Sequence, residues 1–213
     1  MPISVLLVDD HKVVLEGYRR LLDRDPAISV VAEAGTAESA YRAFCEVLPQ
    51  VVVLDVAMPG ASGIDAMRRM LERDCTARVL ICSMYEDPIY VDRSLGSGAC
   101  GYVTKAAAAE VLAEAIKAVH RGRRYLSPDA AAAFARWQAR ERNASASLNA
   151  KEMEVLRQIA QGATLSEIAT AMNLSDKTVA NYQTLLRQKL GARNAAQLVH
   201  AAARFGIFRI DGA

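Results

Sequence analysis

Three short runs of apolar residues constrain this chain most: VLLV at 5–8, VVVLD at 51–55 and VLIC at 79–82. A strand with one covered face alternates apolar and polar residues, so continuously apolar runs are typical of parallel strands covered on both faces. Longer amphipathic segments separate these runs. The pattern predicts that residues 1–122 form an α/β domain with a doubly wound (βα)5 sheet.

The predicted strands and helices alternate along this domain. The strands are Ile3–Val8, Ile28–Glu33, Val51–Asp55, Arg78–Cys82 and Gly101–Thr104. The helices are Val13–Arg24, Ala37–Val47, Gly63–Arg73, Pro88–Ser97 and Ala107–Arg121. In a flavodoxin-like sheet of order 2-1-3-4-5, ligands bind at the carboxyl ends of the strands.

Charge changes along the chain. Residues 1–122 carry 13 Lys and Arg against 17 Asp and Glu, residues 123–147 carry 5 against 2, and residues 148–213 carry 8 against 5. The basic end predicts a domain that faces a polyanion. The Ala-rich and Arg-rich segment 123–147 predicts a partly helical linker, which ends in small polar residues that we expect to be mobile.

Residues 148–213 show no strand signals and predict an all-α domain of four short helices. A capping residue precedes each amphipathic segment, in the order Asn149, Thr164, Ser175 and Asn194. The tight turn MNLS joins the second helix to the third. Two short helices joined in this way indicate a helix-turn-helix module.

Carboxylates follow two of the predicted strands. Asp9 and Asp10 end the first strand and Asp55 ends the third, and these strands are neighbours in the predicted order. The fourth and fifth strands bring Ser83 and Lys105 to the same edge. Three acids at one place raise each other's pKa unless a cation lies between them, and oxygen ligands of this kind suit Mg²⁺. The set also suits a phosphoryl group that a carboxylate attacks.

Several other classes of protein are disfavoured. The sequence has no apolar stretch of about 20 residues that would span a membrane, and its N-terminus lacks the basic region of a signal peptide. The three histidines are scattered, which disfavours a histidine-based metal site. Without C-x-x-C spacing, we expect reduced cysteines in a cytoplasmic protein; they are Cys45, Cys75, Cys82 and Cys100.

Several motifs carry a family resemblance. The segments LLVDD, VVVLDVAMPGASG, VLICS and GACGYVTK resemble the receiver domain of bacterial response regulators, in order and in spacing. The segment LNAKEMEVLRQIAQGATLSEIATAMNLSDKTVANYQTLLRQKLGA resembles the LuxR-type helix-turn-helix. The whole chain, apart from the linker, is similar to two-component regulators of the NarL/FixJ class. The resemblance implies a phosphorylation-controlled transcription regulator and not an enzyme.

The resemblance also implies roles for the residues at the strand ends. Asp55 would accept a phosphoryl group from the phosphohistidine of a sensor histidine kinase. Asp10, Asp55 and the carbonyl of Ala57 would bind Mg²⁺, with help from Asp9.

Two residues of the first domain would form the switch. Lys105 would contact the phosphoryl oxygens, Ser83 would move to bond them, and Tyr102 would swing inward.

The chain departs from many receivers at Ala106, where they have a cis proline. It also carries Ala180 and Tyr182 where many relatives have Lys and His.

The third helix of the last domain, at residues 175–190, is expected to enter the major groove of double-stranded DNA. From the helical spacing we expect contacts to base edges from Lys177, Ala180, Asn181 and Thr184. We expect contacts to DNA phosphates from Thr178, Tyr182, Arg187, Lys189 and Arg193. Core-like spacing is seen at Val179, Leu185, Leu186 and Leu190.

We expect a homodimer on DNA, because one small module makes few phosphate contacts. The apolar stripe of the last helix suits either a dimer contact or packing within the domain. Its residues are Ala195, Leu198, Val199 and Ala202.

Three other interpretations are less consistent with these residues, and the vestigial receiver is the main alternative. A phosphatase of the haloacid-dehalogenase class would need a second acid two residues after Asp55, where Ala57 stands. A DNA-binding regulator with a vestigial receiver would not depend on phosphorylation. An autoinducer-binding regulator would need a ligand-binding domain, for which the first half has no spare length.

Overall fold

The computed structural model describes residues 1–58, 62–205 and 207. The chain divides into two compact units, Met1–Arg136 and Trp137–Ala213.

The first unit is built on a parallel sheet, which has six strands in the described part of the chain. In chain order they are β1 Ile3–Val8, β2 Ile28–Ala34, β3 Val51–Leu54, β4 Val79–Ser83, β5 Gly101–Thr104 and β6 Tyr125–Leu126. The spatial order is β2-β1-β3-β4-β5-β6. The predicted order of the first five strands is therefore confirmed, and a sixth strand extends it.

Helices connect the strands and cover both faces of the sheet. They are α1 Lys12–Leu22, α2 Ala37–Val47, α3 Gly63–Arg73, α4 Pro88–Gly96 and α5 Lys105–His120, followed by α6 Pro128–Ala146. Successive strand residues alternate between two buried apolar layers, as the period of two requires. Thus Leu6 and Val52 pack on the side of α2 and α3, whereas Val5 and Leu7 pack on the side of α1 and α5.

The segment after residue 122 packs more tightly than a linker. Tyr125 pairs with Gly101 and Leu126 pairs with Tyr102, so β6 continues the sheet. The first unit includes residues up to Arg136, whereas the first domain was predicted to end at residue 122. Helix α6 runs across the boundary between the units, and it continues through Ala146, where we expected mobile residues.

The second unit contains four helices after α6 among its described residues. They are α7 Ala150–Ala160, α8 Leu165–Met172, α9 Asp176–Leu190 and α10 Ala195–Arg204. Each of the four predicted caps is confirmed, since a side-chain oxygen accepts a backbone N–H of the first turn in every case. An apolar core fills the space between these helices, with Leu156, Ile168, Val179, Leu186 and Leu198 fully buried.

A membrane-spanning segment would need a long apolar helix. Among the described residues, no helix has the length and apolar character to cross a membrane.

Candidate functional site

Two buried carboxylates meet at the carboxyl edge of the sheet. Val8 lies opposite Leu54 in the ladder between β1 and β3, so the residues that follow these strands, Asp9 and Asp55, become neighbours. The N–H of Asp55 donates to the carbonyl of Val8 at 2.9 Å, which fixes the two strand ends together. Asp9 and Asp55 are each only 2% exposed. Buried charges of one sign require a cation between them.

The side chain of Lys105 supplies a positive charge between these acids. It starts α5 directly after β5, and its Nζ lies 2.5 Å from Oδ2 of Asp9 and 2.7 Å from Oδ2 of Asp55. Burial by itself would lower the pKa of Lys105, but the hydrogen bonds to Asp55 and Asp9 raise it above its ordinary value. The lysine therefore stays charged at neutral pH.

A third carboxylate and an imidazole stand beside Asp9. Oδ1 of Asp10 is buried and has no hydrogen-bond partner among the described residues. Nδ1 of His11 lies 2.9 Å from that oxygen, in a direction that makes no hydrogen bond, and 3.2 Å from Oδ1 of Asp9. Ligand atoms of these three residues all lie within 4.8 Å of one another. A buried carboxylate oxygen without a donor is an open position for a hard cation.

His11 was not predicted to belong to this site, because the three histidines are scattered along the sequence. In the structure, the turn after β1 directs the His11 ring back towards Asp9 and Asp10. The adjacency of His11 to the acidic pair in the sequence was the signal that could have identified it.

The structure places Ala57 next to the carboxylate of Asp55. Its N–H donates to Oδ1 of Asp55 at 2.9 Å. Helix α3 then starts close to the same point: a Cβ on Gly63 would lie 2.2 Å from the backbone oxygen of Asp55. Only a glycine allows α3 to begin so near the strand end, and this close approach confines the Asp55 backbone.

The two predicted switch residues are joined through Tyr85. Ser83 ends β4, is fully buried, and accepts the N–H of Tyr85 at 3.3 Å. The phenol of Tyr102 is also buried and donates to the carbonyl of Tyr85 at 2.6 Å. Burial raises the pKa of Tyr102 to about 12, so the phenol remains a neutral donor. In this structure Tyr102 already lies inward.

A cysteine beside the site is chemically inert. Sγ of Cys82 lies 3.2 Å from the hydroxyl of Tyr18 on α1. Burial raises the pKa of Cys82 to about 12, so the thiol is protonated at neutral pH and is a poor nucleophile.

In the second unit, α8 and α9 form the helix-turn-helix. Helix α8 ends at Asn173 in the left-handed conformation, with φ of 53°, and Ser175 caps α9 two residues later. Val179 and Leu186 on α9 are fully buried. On the outer side, Lys177, Asn181 and Thr184 are exposed, as the spacing predicted.

One core prediction for α9 is wrong. Leu185 was expected to face the other helices, but it is 37% exposed. It lies one turn after Asn181, and consecutive leucines on a helix point about 100° apart. Leu186 therefore takes the buried position and turns Leu185 outward.

Two of the predicted phosphate-contacting residues are engaged within the unit, and a third is half-buried. The ammonium of Lys189 bonds both oxygens of Glu152 at 2.8 Å and the carbonyl of Ser147 at 2.9 Å. Tyr182 packs against the apolar core. Arg187 is half-buried, and its Nε is buried without a hydrogen-bond partner among the described residues.

Among the remaining predicted DNA-contacting residues, only Arg193 is exposed. Thr178 and Ala180 are half-buried on α9, and Arg193 is exposed in the loop before α10.

Comparison with known families matches both units. Residues 5–117 match the response regulator receiver domain, and residues 146–202 match the bacterial regulatory proteins of the luxR family. The chain therefore belongs to the two-component response regulators that carry a LuxR-type DNA-binding domain.

Two relatives are similar to this chain over most of the length of both proteins. Response regulator UvrY of Escherichia coli K12 is 34% identical over 208 residues, which cover 96% of this chain and 95% of the relative. The DNA-binding transcriptional activator DevR/DosR of Mycobacterium tuberculosis is 39% identical over 199 residues, covering 92% of this chain and 91% of the relative.

Two solved structures support the architecture. A LuxR-family two-component response regulator from Aurantimonas shares 42% identity and a TM-score of 0.63, over 65% of this chain and 99% of that chain. The RcsB–DNA complex shares 25% identity and a TM-score of 0.64, over 95% of this chain and 98% of that chain.

Proposed function

We propose that Asp55 accepts a phosphoryl group from the phosphohistidine of a sensor histidine kinase. The observation that carries this proposal is the 2.7 Å contact between Lys105 Nζ and the buried Asp55 carboxylate. A carboxylate oxygen of Asp55 attacks phosphorus, the P–N bond breaks, and the imidazole leaves with the electron pair. Lys105 neutralises the phosphoryl oxygens during transfer.

The acidic cluster fits Mg²⁺ as the cofactor. Asp9, Asp10, Asp55 and the carbonyl of Ala57 would hold the ion, and the unpartnered buried oxygen of Asp10 supports this choice. His11 stands close enough to orient Asp9 and Asp10. When bound, the ion supplies positive charge that offsets the phosphoryl oxygens.

Ser83 and Tyr102 would report the phosphorylation state. The hydroxyl of Ser83 now accepts the Tyr85 N–H, and it would turn to donate to a phosphoryl oxygen. Tyr102 holds the carbonyl of the same Tyr85, so movement of the β4–α4 loop changes both contacts. This is a two-state element that local charge can bias.

The second unit would read double-stranded DNA through α9, at the chromosome in the cytoplasm. Lys177, Asn181 and Thr184 are exposed on one face and would contact base edges, together with Ala180. Among the predicted phosphate contacts, Arg193 is the most open.

The contribution of the other predicted phosphate contacts is smaller or indirect. Thr178 and Tyr182 border the reading face, and half-buried Arg187 can reach a phosphate only with the end of its guanidinium. Lys189 already uses its three N–H donors inside the unit, so its role is to hold α9 against α7.

Two copies would bind together, because one reading helix makes too few phosphate contacts for useful affinity. We propose that phosphorylation promotes this homodimer or frees the second unit for DNA.

Intact-mass measurement tests the phosphorylation site. After incubation with acetyl phosphate and Mg²⁺, the wild-type chain should gain one phosphoryl group and Asp55→Asn should gain none. Asp65→Asn is the matched control, because Asp65 is an exposed carboxylate in the first turn of α3. Equal labelling of Asp55→Asn and wild type would exclude Asp55 as the acceptor. Loss of labelling only in Asp55→Asn, without any change in DNA binding, would favour a phosphorylation-independent regulator.

A further inference from the structure

The start of α6 packs in the apolar cluster that contains Tyr102. Ala130, only 2% exposed, belongs to the same apolar cluster as Tyr102, and Phe134 packs against that cluster one turn later. Leu126 of β6 joins them. Residues four apart share one helix face, so the first two turns of α6 present one apolar stripe to the side chain that the proposed switch uses.

Hydrogen bonds tie the same segment to β5. The N–H of Ser127 donates to the carbonyl of Tyr102 at 2.9 Å, and the N–H of Thr104 approaches Oγ of Ser127 at 3.3 Å. The hydroxyl of Thr104 donates to Oδ2 of Asp129 at 2.6 Å. Ser127 and Thr104 are buried, so the hydrogen bonds between their groups and Tyr102 are costly to lose, whereas Asp129 is itself exposed.

Thr104 is also the residue that sets the start of α5. Its hydroxyl oxygen accepts the N–H of Ala107 at 3.2 Å as the helix cap, and Lys105 follows directly. The Asp129 carboxylate accepts the hydrogen bond that the Thr104 hydroxyl donates. The lone pairs of the Thr104 oxygen therefore stay available for this cap. Burial would raise the pKa of Asp129, but its bonds to Ser127 and Thr104 lower it below the ordinary value, so the carboxylate is charged.

We propose that Asp129 is a positioning residue that couples the first turn of α6 to the phosphorylation site, through Thr104 and the neighbouring Lys105. This inference rests on the proposed phosphorylation of Asp55. A shift of Tyr102 or Lys105 on phosphorylation would move Thr104. The motion would reach the start of α6 through the Tyr102–Ser127 backbone bond, the bond from the Thr104 N–H to the Ser127 hydroxyl, and the charged bond to Asp129. By linkage, loosening α6 changes how readily the site holds the phosphoryl group.

The test compares three variants of the full chain. Asp129→Ala removes the acceptor for Thr104, whereas Asp129→Asn keeps an oxygen acceptor in the same place. Glu110→Ala, on the exposed face of α5, removes the same charge and is the matched control. Two quantities are measured: the rates at which the chain gains and loses the phosphoryl group, and hydrogen exchange of the amides at 129–136 with and without beryllofluoride.

In the wild type, Asp129→Asn and Glu110→Ala, beryllofluoride should change exchange at 129–136. In Asp129→Ala the change should disappear, and the rates should shift by about threefold or more, the scale of one lost hydrogen bond. A variant that is merely destabilised would exchange faster throughout and still respond to beryllofluoride. That result, or rates equal to those of Glu110→Ala, would overturn the coupling. If the wild type takes no phosphoryl group, the proposed function fails and this inference fails with it.

Discussion

The ammonium of Lys105 lies 2.7 Å from the carboxylate of Asp55, and the same nitrogen lies 2.5 Å from Asp9. One cation thus holds together two acids that leave neighbouring strands. If Asp55 accepts a phosphoryl group as proposed, the ammonium of Lys105 would lie close enough to offset the negative charge of the phosphoryl oxygens.

Replacing Lys105 by Ala should slow labelling by acetyl phosphate about tenfold or more, since a lost hydrogen bond to a charged group costs roughly 1.5–3 kcal/mol. The labelling rate by intact mass measures this. Lys117→Ala is the control, because Lys117 lies on the same helix but pairs with Asp25. Similar rates for the two variants would show that Lys105 does not act on the phosphoryl group.

Gly63→Ala should destabilise the first unit and disturb the acceptor. An added Cβ would meet the Asp55 carbonyl at 2.2 Å and Cα of Val56 at 2.8 Å, so α3 or the strand end must shift. Overpacking of this kind costs about 1–3 kcal/mol. Urea unfolding and the labelling rate report the two effects.

Gly96→Ala is the matched control for this change. Gly96 is the last residue of α4, and no atom lies within 4 Å of the added Cβ. The substitution should therefore leave the free energy of unfolding unchanged or raise it by up to about 1 kcal/mol. If both alanine variants unfolded at the same urea concentration, the claim that the close approach of α3 to Asp55 requires a glycine at position 63 would be wrong.

Much of the first unit was predictable, because parallel strands covered on both faces leave an unbroken apolar pattern. Because the carboxyl ends of parallel strands meet at one edge of the sheet, the strand ends alone predicted that Asp9, Asp55 and Lys105 lie close together. Strand β6 was missed because two residues, Tyr125 and Leu126, carry no periodic signal. Its place depends on pairing with β5, which is a tertiary effect.

The second unit shows the same limit. Caps are local, so Asn149 and Thr164 were read correctly from the sequence. The ion pair between Lys189 and Glu152 joins residues 37 positions apart, so no local sequence pattern predicts it. Basic residues on a recognition helix are therefore assigned to phosphates by spacing alone until a structure shows which are already paired.

The Glu152–Lys189 ion pair should make the stability of the second unit depend on pH. The hydrogen bond from Lys189 lowers the pKa of Glu152 below its ordinary value of 4.5. A carboxyl group whose folded pKa is lowered stabilises the fold above its unfolded pKa, and the contribution is lost as pH falls through the folded pKa. The free energy of unfolding should therefore decline as the solution is acidified from pH 4.5.

Glu152→Gln keeps an acceptor for the capping box but removes the charge. It should cost about 1.5–3 kcal/mol at neutral pH and flatten this acid dependence. Urea unfolding of the full chain, read from amide signals of α7 and α9, measures both quantities. A double-mutant cycle with Lys189→Gln isolates the pair. An unchanged acid profile in Glu152→Gln would mean that another group causes the dependence.

Asn181 and Arg193 should differ in what they contribute to DNA binding. Asn181→Ala should cost about 1–3 kcal/mol at the preferred site and relax preference at one base pair. Arg193→Ala should weaken binding to all sequences alike and reduce the salt slope by about 1. Binding-site selection at two salt concentrations separates the two. An unchanged preferred motif for Asn181→Ala would remove Asn181 from readout and point to Lys177 or Thr184.

The most direct test of the account is the affinity for DNA selected by the wild-type chain, measured before and after treatment with acetyl phosphate and Mg²⁺. Sedimentation of the same samples reports dimerisation. Treatment is expected to raise the affinity of the wild type by about 5- to 150-fold, the usual range of coupling between two sites, and to leave the affinity of Asp55→Asn unchanged. Equal affinity of the phosphorylated and untreated wild-type chains would contradict control of DNA binding by Asp55.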